Sequence, residues 1–131
     1  MTKDDLKTKL SPLAYQVTQQ QGTEAPFSGK YHDFSEGGHY NCVCCDSTLF
    51  YSEQKFYSSC GWPAFSAALQ NSTNEKSDLS HGMQRVEILC KKCQAHLGHK
   101  FNDGPTGTRY CINSAALTFI PDQSNLPSEQ T

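Results

Sequence analysis

The pattern of apolar and polar positions divides this chain into two unequal parts. Residues 3–9 and 12–21 read as two short helices, with Ser11 as a cap and Pro12 at the first helical position, where its missing N–H costs nothing. The stretch 22–38 carries Gly, Pro, Ser and Thr and reads as a loop wrapping the surface. Beyond it, short apolar and aromatic runs broken by turn residues predict strands over 39–43, 48–51, 86–89, 97–101, 108–113 and 116–120. A short helix is expected over 63–68, and the polar segment 70–80 reads as a long loop or a weak helix. The tail after Pro121, rich in Ser, Gln and Pro, is expected to be disordered. The whole predicts a mainly β fold: antiparallel sheets with short N-terminal and peripheral helices, one domain over 1–131 with its core at about 10–120.

Charge and composition narrow the functions. The net charge is -2 and the pI about 6.2, and no Lys/Arg run exists to neutralise a phosphate backbone, so nucleic acid is not an expected partner. Residues 1–10 are polar and charged, without the apolar stretch of a secretory signal, and no segment approaches the roughly 20 apolar residues of a membrane span. A soluble, cytoplasmic, monomeric chain is expected.

In that compartment seven cysteines argue against a disulfide framework, because the count is odd and the surroundings are reducing. Cys42 and Cys45 form one Cys-x-x-Cys unit, and Cys90 and Cys93 form another, each at the end of a predicted strand. Four thiolates match the tetrahedral preference of Zn²⁺, and a site filled by four protein ligands is closed and therefore structural. A thioredoxin-like redox motif would need a helix opening at the cysteines, and Asp46-Ser47-Thr48-Leu49-Phe50 offers none. Cys44 is left over and is expected to point away from the ion.

Two cysteines stand alone. In Arg109-Tyr110-Cys111-Ile112-Asn113 a strand places Arg109, Cys111 and Asn113 on one face, where the cation favours the thiolate form. Cys60 adjoins Gly61, the sole tryptophan Trp62, and Pro63, and a two-cysteine redox cycle needs such a second thiol. In His96-Leu97-Gly98-His99 a regular strand would send the imidazoles to opposite sides, but a bulge or bend at Gly98 would bring both to one pocket as candidate acids or bases.

These residues together resemble a known family. Tyr40-x-Cys42-x-x-Cys45 with Leu49-Phe50, Cys60-Gly61-Trp62-Pro63-x-Phe65, Ser80-His81-Gly82-Met83, and Cys90-x-x-Cys93-x-x-His96-Leu97-Gly98-His99-x-Phe101-x-Asp103-Gly104-Pro105 are similar to the methionine-R-sulfoxide reductases of the MsrB type, and Arg109 to Ser114 completes the order. The resemblance runs from about residue 10 to 120. It implies zinc on Cys42, Cys45, Cys90 and Cys93, Cys111 as nucleophile and Cys60 as resolving thiol. It also implies a substrate pocket of Trp62, His96, His99, Phe101, Asp103, Arg109 and Asn113. Trp62 and Phe101 would hold the methyl group, either histidine would donate a proton, and Asp103 and Arg109 would organise the site. The implied substrates are oxidised proteins and peptides carrying methionine-R-sulfoxide, with a Cys60–Cys111 disulfide recycled by thioredoxin or a similar dithiol. Three positions depart from the common pattern: many members carry a small apolar residue at Lys100, proline at Asn102 and serine at Ala64. A non-catalytic zinc-binding interaction module, or a cysteine hydrolase using Cys111 and His99, would share the four-cysteine unit, but the module leaves Cys60, Cys111, the histidines and Trp62 unexplained.

Overall fold

Helix α1 covers Lys3–Lys9 and α2 covers Pro12–Gln20. Ser11 Oγ accepts the Ala14 N–H at 3.1 Å, the capping bond the sequence predicts, and Gln21 ends the helix in the left-handed region at φ 54°. α2 buries Ala14, Val17 and Thr18. The structure, a computed structural model, describes residues 3–122 except Asp33, Ser35, Ser59, Ser80, His81 and Met83, with no side-chain description for Lys3 and Asp4. The expected disordered tail therefore lies outside the described residues from 123 onward, as do Ser80, His81 and Met83 of the Ser-His-Gly-Met motif.

Every strand pairing among the described residues is antiparallel. Strands β1 (Gly38–Cys42), β2 (Thr48–Tyr51) and β9 (Leu117–Pro121) make a three-stranded sheet in the order β2-β1-β9. The larger sheet has six strands: β3 (Lys55–Phe56), β4 (Ala64–Phe65), β5 (Thr73–Asp78), β6 (Arg85–Cys90), β7 (His96–Phe101) and β8 (Arg109–Ile112), ordered β3-β4-β8-β7-β6-β5. Aromatic rings join the sheets: Phe65 of β4 stacks on Phe50 of β2 at 4.3 Å and meets Tyr40 of β1 edge-on at 5.2 Å. All three are fully buried, and such rings contribute area burial plus about 0.5–1.5 kcal/mol per well-placed pair.

Two expectations are corrected. No helix forms over 63–68; Ala64 and Phe65 are instead a buried strand, paired with Phe56 and Lys55 on one side and with Cys111 and Tyr110 on the other. Tertiary burial overrides local propensity in so short a run. The polar segment 70–80 is neither loop nor helix over Thr73–Asp78, which pairs residue for residue with β6. As the sheet's outermost strand it is held by the backbone ladder and shows solvent-exposed positions Glu75, Lys76 and Ser77, so no apolar alternation marks it. The two-residue β3 lay below the length any periodicity resolves.

Candidate active site and metal centre

The two Cys-x-x-Cys units fold into matching knuckles. Each first cysteine ends a strand, its carbonyl accepts the N–H of the residue after the second cysteine (Asp46 to Cys42 at 2.9 Å, Gln94 to Cys90 at 2.8 Å), and that residue turns left-handed at φ 65° in both. The geometry aims four sulfurs at one point. Cys42 and Cys93 lie 3.6 Å apart, as do Cys45 and Cys90, and all four Sγ atoms fall within 4.8 Å of one another. Thiolates about 2.3 Å from a central zinc span edges of roughly 3.8 Å, so the donor set fits a tetrahedral ion. Cys44 is outside this quartet. Its sulfur is buried beside Cys42 and Cys93 and accepts a hydrogen bond from Gln19 Nε2 at 3.4 Å.

A bulge decides the placement of the histidines. Between Ile88 and Leu89 the β6–β7 register slips, so that Leu89 faces His96 while Ile88 faces Gly98, and Leu97 is the extra residue. Gly98 is required here: a Cβ at this position would collide with the Cys111 carbonyl oxygen of β8. The slip brings the imidazoles together, with ring centroids 5.5 Å apart. Each ring is held by its own acid. His96 Nδ1 is 2.7 Å from Glu87 Oε2, and His99 Nε2 is 2.7 Å from Asp78 Oδ2. Gln21, at the end of α2, donates a further bond to Glu87 Oε2 at 2.9 Å.

The two imidazoles differ in surroundings. His96 is buried, and desolvation lowers its pKa against the opposing pull of Glu87, so it is neutral at pH 7. His99 is directly opposite Cys111 in the β7–β8 ladder, on the same face of the sheet, with Phe101 opposite Arg109 one step along. The Arg109 guanidinium lies 4.5 Å from the Phe101 ring centre and is held by Asp103 through an Nε–Oδ1 bond of 2.8 Å.

Cys60 sits in a turn that needs Gly61 in the left-handed region, at φ 95°. The turn brings Cys60 Sγ to 3.6 Å from Cys111 Sγ. Burial, reinforced by the neighbouring Cys60, pushes the Cys111 thiol up to about 12, and Arg109 only partly offsets it. At Cys60 burial also acts upward, but hydrogen bonds from Ser58 and the Trp62 backbone, with help from Cys111 and Arg109, leave the thiol below its ordinary value. The expected bias of Arg109 toward a Cys111 thiolate is thus outweighed, because Cys111 is more desolvated than its partner.

A cleft of about 80 Å³ gathers Trp62, His99, Phe101, Cys111 and Asn113, together with Thr23 and Arg85. His96 stands outside the residues lining it, and Asp103 lines a neighbouring groove with Cys60 and Arg109. Sequence reasoning missed Asp78, Glu87 and Glu24. Glu87 left one trace, a charge inside the apolar run Val86–Ile88–Leu89; Asp78 and Glu24 left none.

Comparison with known proteins agrees with this geometry. The SelR domain matches residues 10–121. The peptide methionine sulfoxide reductase MsrB of Pseudomonas savastanoi pv. phaseolicola is 53% identical over 125 residues, covering 93% of this chain and 95% of that protein. Its namesakes from Pseudomonas syringae pv. syringae and Burkholderia multivorans are each 54% identical over 123 residues, covering 92% and 89% of this chain and 94% and 86% of those proteins. Among solved structures, the Mis18 "Yippee-like" domain aligns with a TM-score of 0.55 at 17% identity, over 71% of this chain and 100% of that one, a likeness of fold alone. Matched along nearly its whole length by the domain and by these relatives, the chain belongs to the MsrB family of peptide methionine sulfoxide reductases.

Proposed function

We propose that this chain reduces methionine-R-sulfoxide in oxidised proteins and peptides to methionine, with Cys111 as nucleophile and Cys60 as resolving thiol. The observation that carries this reading is the 3.6 Å contact between two lone thiols, one of which lines a small cleft walled by Trp62 and Phe101. The relatives' name supplies the reaction, and the restriction to one sulfoxide epimer is a known property of this enzyme type.

The aromatic walls take the methyl group, and Cys111 sulfur attacks the sulfoxide sulfur. Its proton passes to the Cys60 sulfur 3.6 Å away, whose lowered pKa enlarges the thiolate fraction able to take it. The sulfoxide oxygen must be protonated to leave, and His99 is the donor. Asp78 on its Nε2 leaves the other ring nitrogen for substrate, whereas buried His96 is neutral and outside the cleft wall. Methionine departs and Cys111 becomes a sulfenic acid. Cys60 then displaces its hydroxyl, releasing water and forming the Cys60–Cys111 disulfide, which thioredoxin or a similar dithiol reduces with two electrons and two protons. Arg109 and Asp103 shape the rim and Asn113 orients the substrate. Cys42, Cys45, Cys90 and Cys93 would hold one zinc, which when bound supplies a structural staple and no chemistry. None of the seven cysteines is disulfide-bonded, and reducing, cytoplasmic surroundings are the setting we infer for this chain, working as a monomer. No helix among the described residues is long and apolar enough to cross a membrane.

The test is an assay on separated R and S epimers of a sulfoxide peptide with dithiothreitol as reductant. Methionine should form from the R epimer alone. Turnover of the S epimer, or of neither, overturns the reading.

A further inference from the structure

Glu24 lies in the stretch 22–38, yet it is only 2% exposed. Its carboxylate accepts two backbone N–H groups, Ser114 on Oε2 at 3.0 Å and Ala115 on Oε1 at 2.9 Å, at the start of the 3-10 turn Ser114–Ala116. Its main chain makes two more bonds. The Glu24 N–H donates to Asn113 Oδ1 at 3.0 Å, and its carbonyl accepts the Trp62 indole N–H at 3.0 Å. One buried residue therefore touches both Trp62 and Asn113, and its acid is tied to the chain immediately after Asn113. The packing admits no slack, because a Cβ on Gly29 would collide with the Glu24 carboxylate and the Ser114 side chain.

The division of labour is chemical. A carboxylate accepting backbone amides makes charge-assisted bonds about twice as strong as neutral ones, so the side chain is the anchor. The main chain it anchors holds the two groups. Asn113 Nδ2 donates to the Leu97 carbonyl at 3.0 Å, so both ends of that amide are engaged and its orientation is determined by Glu24 and β7 together. We propose that Glu24 is a positioning residue of the active site, its anchored backbone setting the Trp62 ring and the Asn113 amide against the cleft. This rests on the substrate-binding roles given above to Trp62 and Asn113.

The test is Glu24→Gln, which keeps the shape but removes the charge and sets an amide donor against a backbone donor. Trp62 is the sole tryptophan, so its emission reports this bond directly. The variant should keep its far-UV circular dichroism, shift Trp62 emission to longer wavelength, and lose about tenfold in kcat/KM on the R epimer through a raised KM and a lowered kcat together. Glu24→Asp, which keeps the charge with a shorter reach, should recover part of the loss. Native emission with unchanged constants overturns the proposal, and so does shifted emission with unchanged constants, since Glu24 then only packs. If Glu24→Gln fails to fold, the wild-type protein carries the test by hydrogen exchange: the Trp62 indole N–H and the Ser114 amide should exchange slowly, and fast exchange of either overturns the anchor. An inactive wild-type protein would count against the reductase reading alone, and the emission and exchange measurements would stand apart from it.

Discussion

Cys60 and Cys111 are 51 positions apart in the chain and 3.6 Å apart at their sulfurs. Their environments are unequal. Cys111, paired with Ala64 and His99 in the middle of the larger sheet, is pushed up to about 12 mainly by burial, while Cys60 on its glycine turn falls below the ordinary thiol value. Of the two thiols Cys60 therefore ionises first as pH rises, while Cys111 holds its proton well past neutral pH.

That asymmetry predicts the order of alkylation. With iodoacetamide at neutral pH, Cys60 should be modified before Cys111, as read by peptide mass spectrometry. In Cys60→Ser the charge and hydrogen bond that raise Cys111 are gone, so its thiolate should form at lower pH and the pH–alkylation curve should move down. A curve that stays in place or moves up would show that Cys60 does not govern the Cys111 proton.

The roles of the two thiols separate in single turnover. Cys111→Ser should lose the reduction step, because a serine hydroxyl is far less nucleophilic than a thiolate. Cys60→Ser should release one methionine per enzyme and accumulate a sulfenic acid that dimedone traps, while thioredoxin-driven cycling collapses. A burst retained in Cys111→Ser and lost in Cys60→Ser would reverse the assignment.

The acid behind His99 should matter for chemistry more than for binding. Asp78→Asn leaves His99 Nε2 with a neutral partner, and kcat should fall about tenfold to a hundredfold, up to the lower end of what a positioned acid contributes, while KM changes little. His96→Gln should instead lower the thermal midpoint, since His96 is buried against Glu87. A kcat loss larger in His96→Gln than in His99→Gln, both measured on folded protein, would move the proton donor to His96.

Metal analysis should find about one zinc per chain. Cys90→Ser should lose the metal and unfold, because binding to four thiolates is worth on the order of 10 kcal/mol, comparable to the stability of a small domain. Cys44→Ser should keep zinc and activity, as its sulfur lies outside the quartet. Metal-free protein with a normal melting transition would remove the structural role, and zinc loss in Cys44→Ser would change the ligand set.

What the sequence determined by itself is whatever its chemistry writes locally. The Ser11-Pro12 cap, the two Cys-x-x-Cys knuckles, the bulge beside Gly98 and the shared face of Arg109 and Cys111 each depend on residues a few positions apart, where backbone geometry allows few outcomes. Folding alone decided the rest. Ala64 and Phe65 became a strand because β3 and β8 flank them, and Thr73–Asp78 became one because β6 offered a backbone ladder that polar residues accept. Glu24 meets Asn113, Ser114 and Ala115 across 89, 90 and 91 positions, and Asp78 meets His99 across 21. No periodicity encodes such distances, and a thiol's burial exists only once the sheet has closed around it. That is why the sequence named Cys60 and Cys111, while only the tertiary structure decided which of them holds its proton the more tightly.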